Sequence, residues 1–456
     1  MGLLRTKPIN ADAYCDTGLK RCLSAVDLTL LGIGAIIGAG IFVLTGIAAA
    51  KSAGPAIVLS YVVSGFACAF AALAYAELAA SIGGCGSAYG YAYAGLGELI
   101  AWIIGWDLIL EYGVATAAVA IGWAGYVNNA LTAMGMPLPM VLLKSPVEGG
   151  FVNLPALLIV LSLAVLLSIG VRQSARFNAV MVLVKLLAIT TFVAVAAFNV
   201  QPANWEPFMP FGWEGVMGGA ALIFFAYIGF DAVSTAAEEA VNPQRDLPIG
   251  ILVSLAVCTV IYVVVAGLLT GIVPYYTLNV ASPVADSLLR IGHPWAAAFI
   301  AAGAIAGLTT VMLVLYYGLT RVFLAMSRDG LLPPVFSAIN KSTHTPVRVI
   351  MASGVLIAAI AGFTPIGDVA ELVNIGTLAA FVLVCAGVIH LRYTRPDLKR
   401  PFRTPFGSVT PLLGIIFCVY LMLSLPTVTW VRFGVWLVLG MVIYFAYSRL
   451  HSTLNR

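Results

Sequence analysis

A lysine lies in the middle of an apolar stretch of this 456-residue chain, FNAVMVLVKLLAITTFVAVAAF (177–198). The stretch is long enough to cross a bilayer, which needs about 20 apolar residues. Placing an ammonium there costs about 2.5–3.5 kcal/mol on insertion scales. The nearer end is about 12 Å away along a helix, which is beyond the reach of the stem of Lys185. Lys185 must therefore face protein or a water-filled cavity, either as a structural residue paired with backbone carbonyls or as a functional one.

Glycines are concentrated in a second apolar stretch, GIGAIIGAGIF (32–42). Glycine is less favourable than alanine in a helix interior by about 1 kcal/mol, and Gly38 and Gly40 lack the spacing of a helix-packing motif. We expect the helix to unwind there, exposing N–H groups at one end and carbonyl groups at the other. These ends attract a carboxylate and an ammonium, the two groups of an α-amino acid. Close helix packing, for which Gly32 and Gly34 are better suited, is the alternative.

Acidic residues form two further candidate sites. The segment FAYIGFD (225–231) places a glycine and Asp231 among aromatic residues, about 10 Å from the polar end of its stretch. Asp231 either caps a second half-helix through N–H groups or contacts a ligand directly. Asp107 and Glu111 lie one turn apart on one helix face. They either share a proton, because two carboxylates would not both ionise cheaply in an apolar setting, or hydrogen-bond to neighbouring helices.

Composition assigns the whole chain to the membrane. It is 61% apolar and 9% charged, whereas soluble proteins have about 25% charged residues. Twelve apolar stretches are long enough to span a bilayer: 28–50, 56–80, 99–127, 153–171, 177–198, 215–238, 249–273, 294–325, 347–363, 368–391, 409–426 and 429–448. Because twelve is an even number, both termini should lie on the same side of the membrane. Loops on that side hold 18 lysines and arginines against 4 in the opposite loops. This asymmetry predicts that both termini are cytoplasmic.

Several classes of function are not expected. The seven cysteines form no CxxC pair and the four histidines no HExxH motif, so we expect neither disulfides nor a metal centre nor another cofactor. No nucleophile–base pair indicates an enzyme, and no basic run with interleaved aromatic residues indicates nucleic-acid binding. The chain divides into a cytoplasmic segment (1–27), one transmembrane domain (28–450) and a cytoplasmic tail (451–456).

The motifs resemble those of the amino acid–polyamine–organocation (APC) superfamily. GIGAIIGAGIFVLTG (32–46) is similar to its first-helix signature, and GFDAVSTAAEEAVNPQRDLPIGI (229–251) to its sixth helix and the following loop. SRDGLLP (327–333) and RPDLKRPFRTP (395–405) are similar to later cytoplasmic loops. The likeness covers residues 24–450 and is strongest to bacterial members of the cationic amino acid transporter (CAT) family.

The resemblance implies an all-α, LeuT-like fold with twelve transmembrane helices. Two inverted repeats of five helices would span about 28–198 and 215–391, with helices one and six broken, and two extra helices would span 409–448. The substrate carboxylate would bind N–H groups around Ala39 and Gly40, although Ala39 departs from the hydroxyl residue common in similar proteins. The substrate ammonium would bind carbonyls of Ile36, Phe225, Ala226 and Ile228. Lys185 matches a lysine that members without sodium coupling carry in helix five.

The expected function is import of L-amino acids across the plasma membrane by proton symport. Partners are then the amino acid, protons and the lipid bilayer. The expected substrate is small and neutral, such as alanine, because the expected pocket walls are apolar. The substrate-binding set is Ile36, Ile37, Gly38, Ala39, Gly40, Phe225, Ala226, Ile228, Asp231 and Leu315, and the proton-coupling set is Lys185 and Glu111. The alternatives are an exchanger, a carrier of cationic or branched-chain amino acids, or a substrate-gated channel, which the scarcity of polar residues disfavours.

Overall fold

The structure is a computed structural model that describes residues 5–7, 23–82, 87–169, 175–236, 240–340 and 345–455. Most of the expected cytoplasmic segment (1–27) lies outside these residues, as do 237–239 of the sixth-helix motif. Across the described part of the chain the protein is helical, and its only extended pairing is an isolated bridge between Leu23 and Ala240. The all-α expectation is therefore confirmed for these residues.

Eight α-helices precede residue 224. They are α1 (Ala25–Ile36), α2 (Thr45–Ala48), α3 (Ile57–Ile82), α4 (Ser87–Gly95), α5 (Glu98–Ala133), α6 (Leu154–Ile169), α7 (Ala175–Ala197) and α8 (Gly212–Ile223). Eight more follow: α9 (Pro243–Ile272), α10 (Pro283–Arg290), α11 (Pro294–Arg328), α12 (Val347–Phe363), α13 (Ile366–Thr394), α14 (Val409–Leu423), α15 (Thr427–Ile443) and α16 (Arg449–His451).

The apolar helices lie where the sequence predicts membrane spans, but not all of them are as long as predicted. In the described ranges, eight helical stretches are long and apolar enough to cross a membrane, and the first, Ala25–Ile82, covers both of the first two expected spans. Three further apolar helices, α6, α12 and α14, are shorter. The protein is thus a multi-pass membrane protein, while the count of twelve crossings stays a prediction.

The first helix begins at a well-formed cap. Ser24 and Asp27 form a capping box, in which the Ser24 hydroxyl accepts from the Asp27 N–H at 3.3 Å and the Asp27 carboxylate accepts from the Ser24 N–H at 2.9 Å. Such a box satisfies N–H groups that a helix start leaves unpaired. Prolines occupy the first turn of α9, α10 and α11, where their missing N–H is not needed.

Two helices are interrupted in their middle. Helix α1 ends at Ile36, Ile37 adopts an extended conformation, and the chain resumes as a π-helical turn over Gly40–Leu44 that continues into α2. Helix α8 ends at Ile223 and passes through a 3-10 turn, Phe224–Tyr227, before an extended Ile228. Gly229 then has a φ of 116°, which favours glycine strongly. Both breaks expected from the glycine pattern are present.

The long helices pack in a regular order around these breaks. Helix α3 packs against α9, α5 against α11, and α6 against α12. Helix α1 packs against α7, α9 and α11, while α8 packs against α3 and α13. The two breaks contact each other, because the turn that follows the first break packs against the 3-10 turn of the second.

The last long helix is fixed to α5 by tryptophans. The rings of Trp106 and Trp436 stack with centroids 4.4 Å apart, and each indole N–H donates to the other residue's carbonyl, at 2.9 and 3.2 Å. Trp102 stacks on Trp106 and donates to the Gly440 carbonyl at 3.0 Å. Helix α15 therefore has a defined position although it lies outside the expected repeats.

Residues far apart in the sequence, Arg5 and Ser452, meet at one buried carboxylate. Glu98 is fully buried and accepts from the Ser452 hydroxyl at 2.6 Å and the Tyr444 hydroxyl at 3.1 Å. Arg5 pairs with the same carboxylate at 3.3 Å and donates to the Leu454 carbonyl at 3.2 Å.

A second ion pair ties the N-terminal residues to the loop after α11. Lys7 pairs with Asp329 at 2.8 Å, and the Tyr89 hydroxyl donates to the other Asp329 oxygen at 2.8 Å. Burial, followed by the Asp329 charge, raises the pKa of Tyr89 well above its usual value. The phenol therefore stays a hydrogen-bond donor at physiological pH.

Candidate substrate-binding site

Lys185 reaches the first helix break from α7. Its side chain is fully buried, and its ammonium donates to the carbonyl of Gly34 at 2.6 Å and that of Ile37 at 3.0 Å. The last carbonyls of a helix have no partner within the helix and form its negative end, so a cation is stabilised there. The structural interpretation of Lys185 predicted this contact, and a coupling role is compatible with it.

The stem of Lys185 passes over a glycine of α11. A Cβ built on Gly307 would lie 2.8 Å from Cγ of Lys185 and 3.0 Å from its Cδ. These separations are shorter than an ordinary carbon contact of about 3.5–4.0 Å. Gly307 therefore provides the space through which the lysine reaches α1.

A narrow cavity of about 10 Å³ lies between the two breaks. It is bounded by backbone and small or apolar side chains: Ala35, Ile36, Gly38, Ala39, Gly40, Ala115, Val119, Phe225, Ile228, Val311 and Leu315. Seven of the ten predicted binding residues are in this lining. Ile37, Ala226 and Asp231 are not.

The residues that the sequence reasoning missed come mainly from α5 and α11. Ala115 and Val119 are four residues apart on α5, and Val311 lies four residues before the predicted Leu315 on α11. Residues four apart share a helix face. The spacing from Leu315 could have identified Val311, whereas nothing in the local sequence distinguishes Ala115 or Val119 from other apolar residues of α5.

Close backbone contact explains the glycine at position 40. A Cβ on Gly40 would lie 2.9 Å from the backbone nitrogen of Ala226 and closer still to its Cα and Cβ. The nearest neighbour of a Cβ on Gly38 would be Val311, at 3.4 Å. Gly40 thus permits the two breaks to touch, and Gly38 has room for a methyl group.

Three of the four carbonyls predicted to bind an ammonium have another partner. The Tyr262 hydroxyl of α9 is 2.9 Å from the Ile36 carbonyl and 2.8 Å from the Ala226 carbonyl. The Phe225 carbonyl accepts from the Ile228 N–H at 3.3 Å. No local sequence pattern identifies this tyrosine, because its partners are distant in sequence.

An amide supports the first half of the broken sixth helix in a similar way. The Asn374 side-chain nitrogen, on α13, donates to the carbonyls of Ala221 at 2.7 Å and Leu222 at 2.9 Å. Asn374 is fully buried. Each broken helix therefore has two carbonyls near its break held by one polar side chain, a lysine in the first case and an asparagine in the second.

The predicted acidic residues are buried without cationic partners. The Tyr112 hydroxyl donates to Asp231 at 2.8 Å. One carboxylate oxygen each of Asp107 and Glu111 is buried with no hydrogen-bond partner, and no ion pair among the described residues includes Asp107, Glu111 or Asp231. Within the same residues, no group of three or more His, Cys, Asp or Glu side chains could hold a metal ion.

Comparison with known proteins agrees with the geometry. A family model described as amino acid permease matches residues 23–447. The chain is 49% identical to the methylthioribose transporter of Bacillus subtilis (strain 168) over 100% of this chain and 99% of that protein. It is 52% identical to the branched-chain amino acid permease BcaP of the same organism, over 97% and 96% of the two chains.

More distant relatives belong to the branch that the motifs indicated. The chain is 38% identical to human cationic amino acid transporter 4, over 86% of this chain and 63% of that protein. These relatives are named as permeases and transporters, not as enzymes. The predicted resemblance is confirmed: the chain belongs to the amino acid permease family of the APC superfamily and matches its bacterial CAT-type members.

Proposed function

We propose that this protein imports neutral L-amino acids by proton symport through alternating access. The observation that supports this most directly is the apolar cavity between two helix breaks, bordered by the carbonyl end of α1 and the start of the turn over Gly40–Leu44. A helix start attracts the substrate carboxylate and a helix end its ammonium. An amino acid would thus be bound by backbone, while the apolar walls contact its side chain.

The apolar chemistry of the lining favours a small neutral substrate, such as alanine. No charged residue is among the eleven that border the cavity, and an unpaired cationic side chain would be costly to bury there. Branched-chain amino acids are the second candidate, because a permease named for them is 52% identical. Methylthioribose is a necessary control, since its named transporter is 49% identical and the sugar has neither an α-ammonium nor a carboxylate.

Proton coupling is assigned to Lys185, with Glu111 as a second candidate. A buried ammonium loses its proton more readily than one in water. Lys185 contacts the first helix at its break, so a change of its charge would alter the carbonyl end of α1. The alternative is exchange of amino acids without net proton movement. An imposed pH gradient distinguishes the two mechanisms, because it alone drives accumulation only in a proton symporter.

The inverted repeat is part of the proposal. If the two five-helix repeats are superimposed, α3 corresponds to α9, α5 to α11 and α6 to α12. The two helices of each of these pairs are in contact. The same superposition relates α7, which bears Lys185, to α13, which bears Asn374. Twelve crossings within one domain (28–450), a plasma-membrane location and cytoplasmic termini complete the proposed arrangement.

Reconstitution in liposomes tests the function. Uptake of labelled alanine should be inhibited by small neutral amino acids, be accelerated by an inward proton gradient, and persist when choline replaces sodium. Competition by all other amino acids and by methylthioribose defines the substrate class. Saturable arginine uptake without competition by alanine would refute the neutral substrate, and loss of uptake in choline would refute proton coupling.

A further inference from the structure

Tyr262 contacts the unwound ends of both broken helices at once. Its hydroxyl lies 2.9 Å from the Ile36 carbonyl oxygen, at the end of α1, and 2.8 Å from the Ala226 carbonyl oxygen, in the turn after α8. The side chain is fully buried and does not border the cavity. It therefore reaches these carbonyls from α9 without being part of the cavity wall.

The two distances limit the separation of the carbonyl oxygens. Because both lie within hydrogen-bond range of one phenol oxygen, they are at most about 6 Å apart. A single ammonium nitrogen that donates to both at ordinary lengths imposes the same limit. The spacing that Tyr262 maintains is thus one that suits the α-ammonium of an amino acid.

The hydroxyl leaves acceptor capacity on both carbonyls. A carbonyl oxygen has two lone pairs, whereas a phenol has one proton and satisfies one acceptor fully. Ile36 and Ala226 can therefore accept from Tyr262 and still accept from a ligand. Hydrogen bonds from a charged donor are about twice as strong as neutral ones, so an arriving ammonium would be bound well.

The phenol of Tyr262 is held in place by ring packing, which a tyrosine-to-phenylalanine change in a neighbouring ring would preserve. The Tyr262 ring lies 5.3 Å from the Tyr61 ring and 5.4 Å from the Tyr227 ring, centroid to centroid. The Tyr227 hydroxyl donates to the Tyr61 carbonyl at 2.8 Å, and the Tyr61 hydroxyl contacts Thr45 at 2.5 Å. The Thr45 hydroxyl in turn donates to the Gly40 carbonyl at 3.1 Å.

We propose that Tyr262 is the positioning residue of the ammonium subsite, holding the Ile36 and Ala226 carbonyls at the spacing that one ammonium requires. The residue thereby sets the preference for α-amino acids over molecules of the same shape without an ammonium. This inference rests on the proposed function and deepens it, since it assigns a residue to the recognition of one substrate group.

Tyr262→Phe tests the inference, with Tyr227→Phe as the matched control. Both remove a buried hydroxyl from the same aromatic cluster, but the Tyr227 hydroxyl binds a carbonyl of α3 rather than one at a break. L-Lactate replaces the ammonium of L-alanine by a hydroxyl, so the ratio of the two inhibition constants measures ammonium recognition. Uptake in liposomes gives KM and kcat, and elution and melting temperature report folding.

Tyr262→Phe should raise KM for alanine about tenfold, the scale of one hydrogen bond to a charged group. The preference for alanine over lactate should fall by the same factor, with kcat little changed, while Tyr227→Phe keeps both. Tyr262→His, which retains an N–H donor on a ring, should keep a larger preference than Tyr262→Phe. If Tyr262→Phe does not fold, Tyr262→His is the variant that tests the inference.

Three results would overturn the inference. The first is an unchanged preference for alanine over lactate in Tyr262→Phe. The second is a lower KM for alanine in that variant, which would make the hydroxyl a competitor of the ammonium. The third is an equal loss of preference in the Tyr262 and Tyr227 variants. If only Tyr262→His folds, a complete loss of preference in it would do the same. A wild-type protein that binds no amino acid refutes the proposed function and the inference together. A wild-type protein that transports alanine, with no effect of Tyr262→Phe, refutes the inference alone.

Discussion

Substituting Gly40 by alanine should abolish high-affinity substrate binding, whereas Gly38→Ala should leave the affinity for glycine and alanine within about fivefold. At position 40 the new Cβ would lie 2.9 Å from the Ala226 nitrogen and nearer to its Cα. Carbon contacts are optimal at about 3.5–4.0 Å, so relieving the nearest approach, to the Ala226 Cα, requires the two breaks to separate by about 1.5 Å. At position 38 the Cβ would meet Val311 at 3.4 Å, which is an ordinary contact.

The size of the effect follows from the nature of the contact. At position 40 the new methyl group opposes backbone, so rotation of a side chain cannot relieve the overlap. Overpacking costs about 1–3 kcal/mol, and at about 1.4 kcal/mol per tenfold this corresponds to about a 5- to 150-fold loss of affinity. We expect the upper part of this range, because the overlap directly separates the Ala226 and Gly40 segments.

Calorimetric titration of purified, detergent-solubilised protein with alanine measures the effect. Size-exclusion elution and melting temperature serve as the controls for folding of both variants. Equal loss of affinity in Gly38→Ala and Gly40→Ala, or wild-type affinity in Gly40→Ala, would refute the idea that the two breaks must touch to bind substrate.

Variants at three further positions probe the site. Lys185→Met should abolish accumulation driven by a pH gradient while alanine binding stays within about tenfold, and uphill uptake at the wild-type rate would make Lys185 structural. Asn374→Asp should transport at low pH and fail as pH rises, because a protonated carboxyl can donate to the Ala221 or Leu222 carbonyl and a carboxylate cannot. Asn374→Leu should fail at every pH. A transport rate of Asn374→Asp that does not change with pH would contradict the role of Asn374 as a donor to these carbonyls. Leu315→Ala should shift the preference from alanine toward valine and leucine in competition assays, and an unchanged order would exclude Leu315 from the side-chain pocket.

The breaks could be predicted from sequence because their cause is local. Gly38 and Gly40 in the first helix and Gly229 in the sixth are poor helix residues that permit unwinding or a positive φ. Part of the cavity lining could also be predicted, because the position of Leu315 follows from helical periodicity. The capping box at Ser24 and Asp27 was equally visible, and reading it would have moved the start of the first helix from 28 to 25.

The polar partners of the breaks could not be predicted in the same way. Tyr262 and its acceptor Ile36 are 226 residues apart, and Asn374 is 153 residues from Ala221. A tyrosine or asparagine in an apolar helix has no local pattern that identifies its partner, because the helices that meet are decided by tertiary packing. Lys185 was identified only because a charge in an apolar stretch is unusual whatever it contacts.

The carboxylate of Glu98 has a consequence for biogenesis. Its partners are far apart in the order of synthesis, because Arg5 precedes Glu98 by 93 residues and Ser452 follows it by 354 residues. Until Ser452 has been synthesised this side chain is not fully paired, and an unpaired buried charge is strongly destabilising. Glu98 therefore acquires its full set of partners only after Ser452 has been synthesised, and chains truncated before residue 452 should leave this buried carboxylate without one of its hydrogen-bond donors.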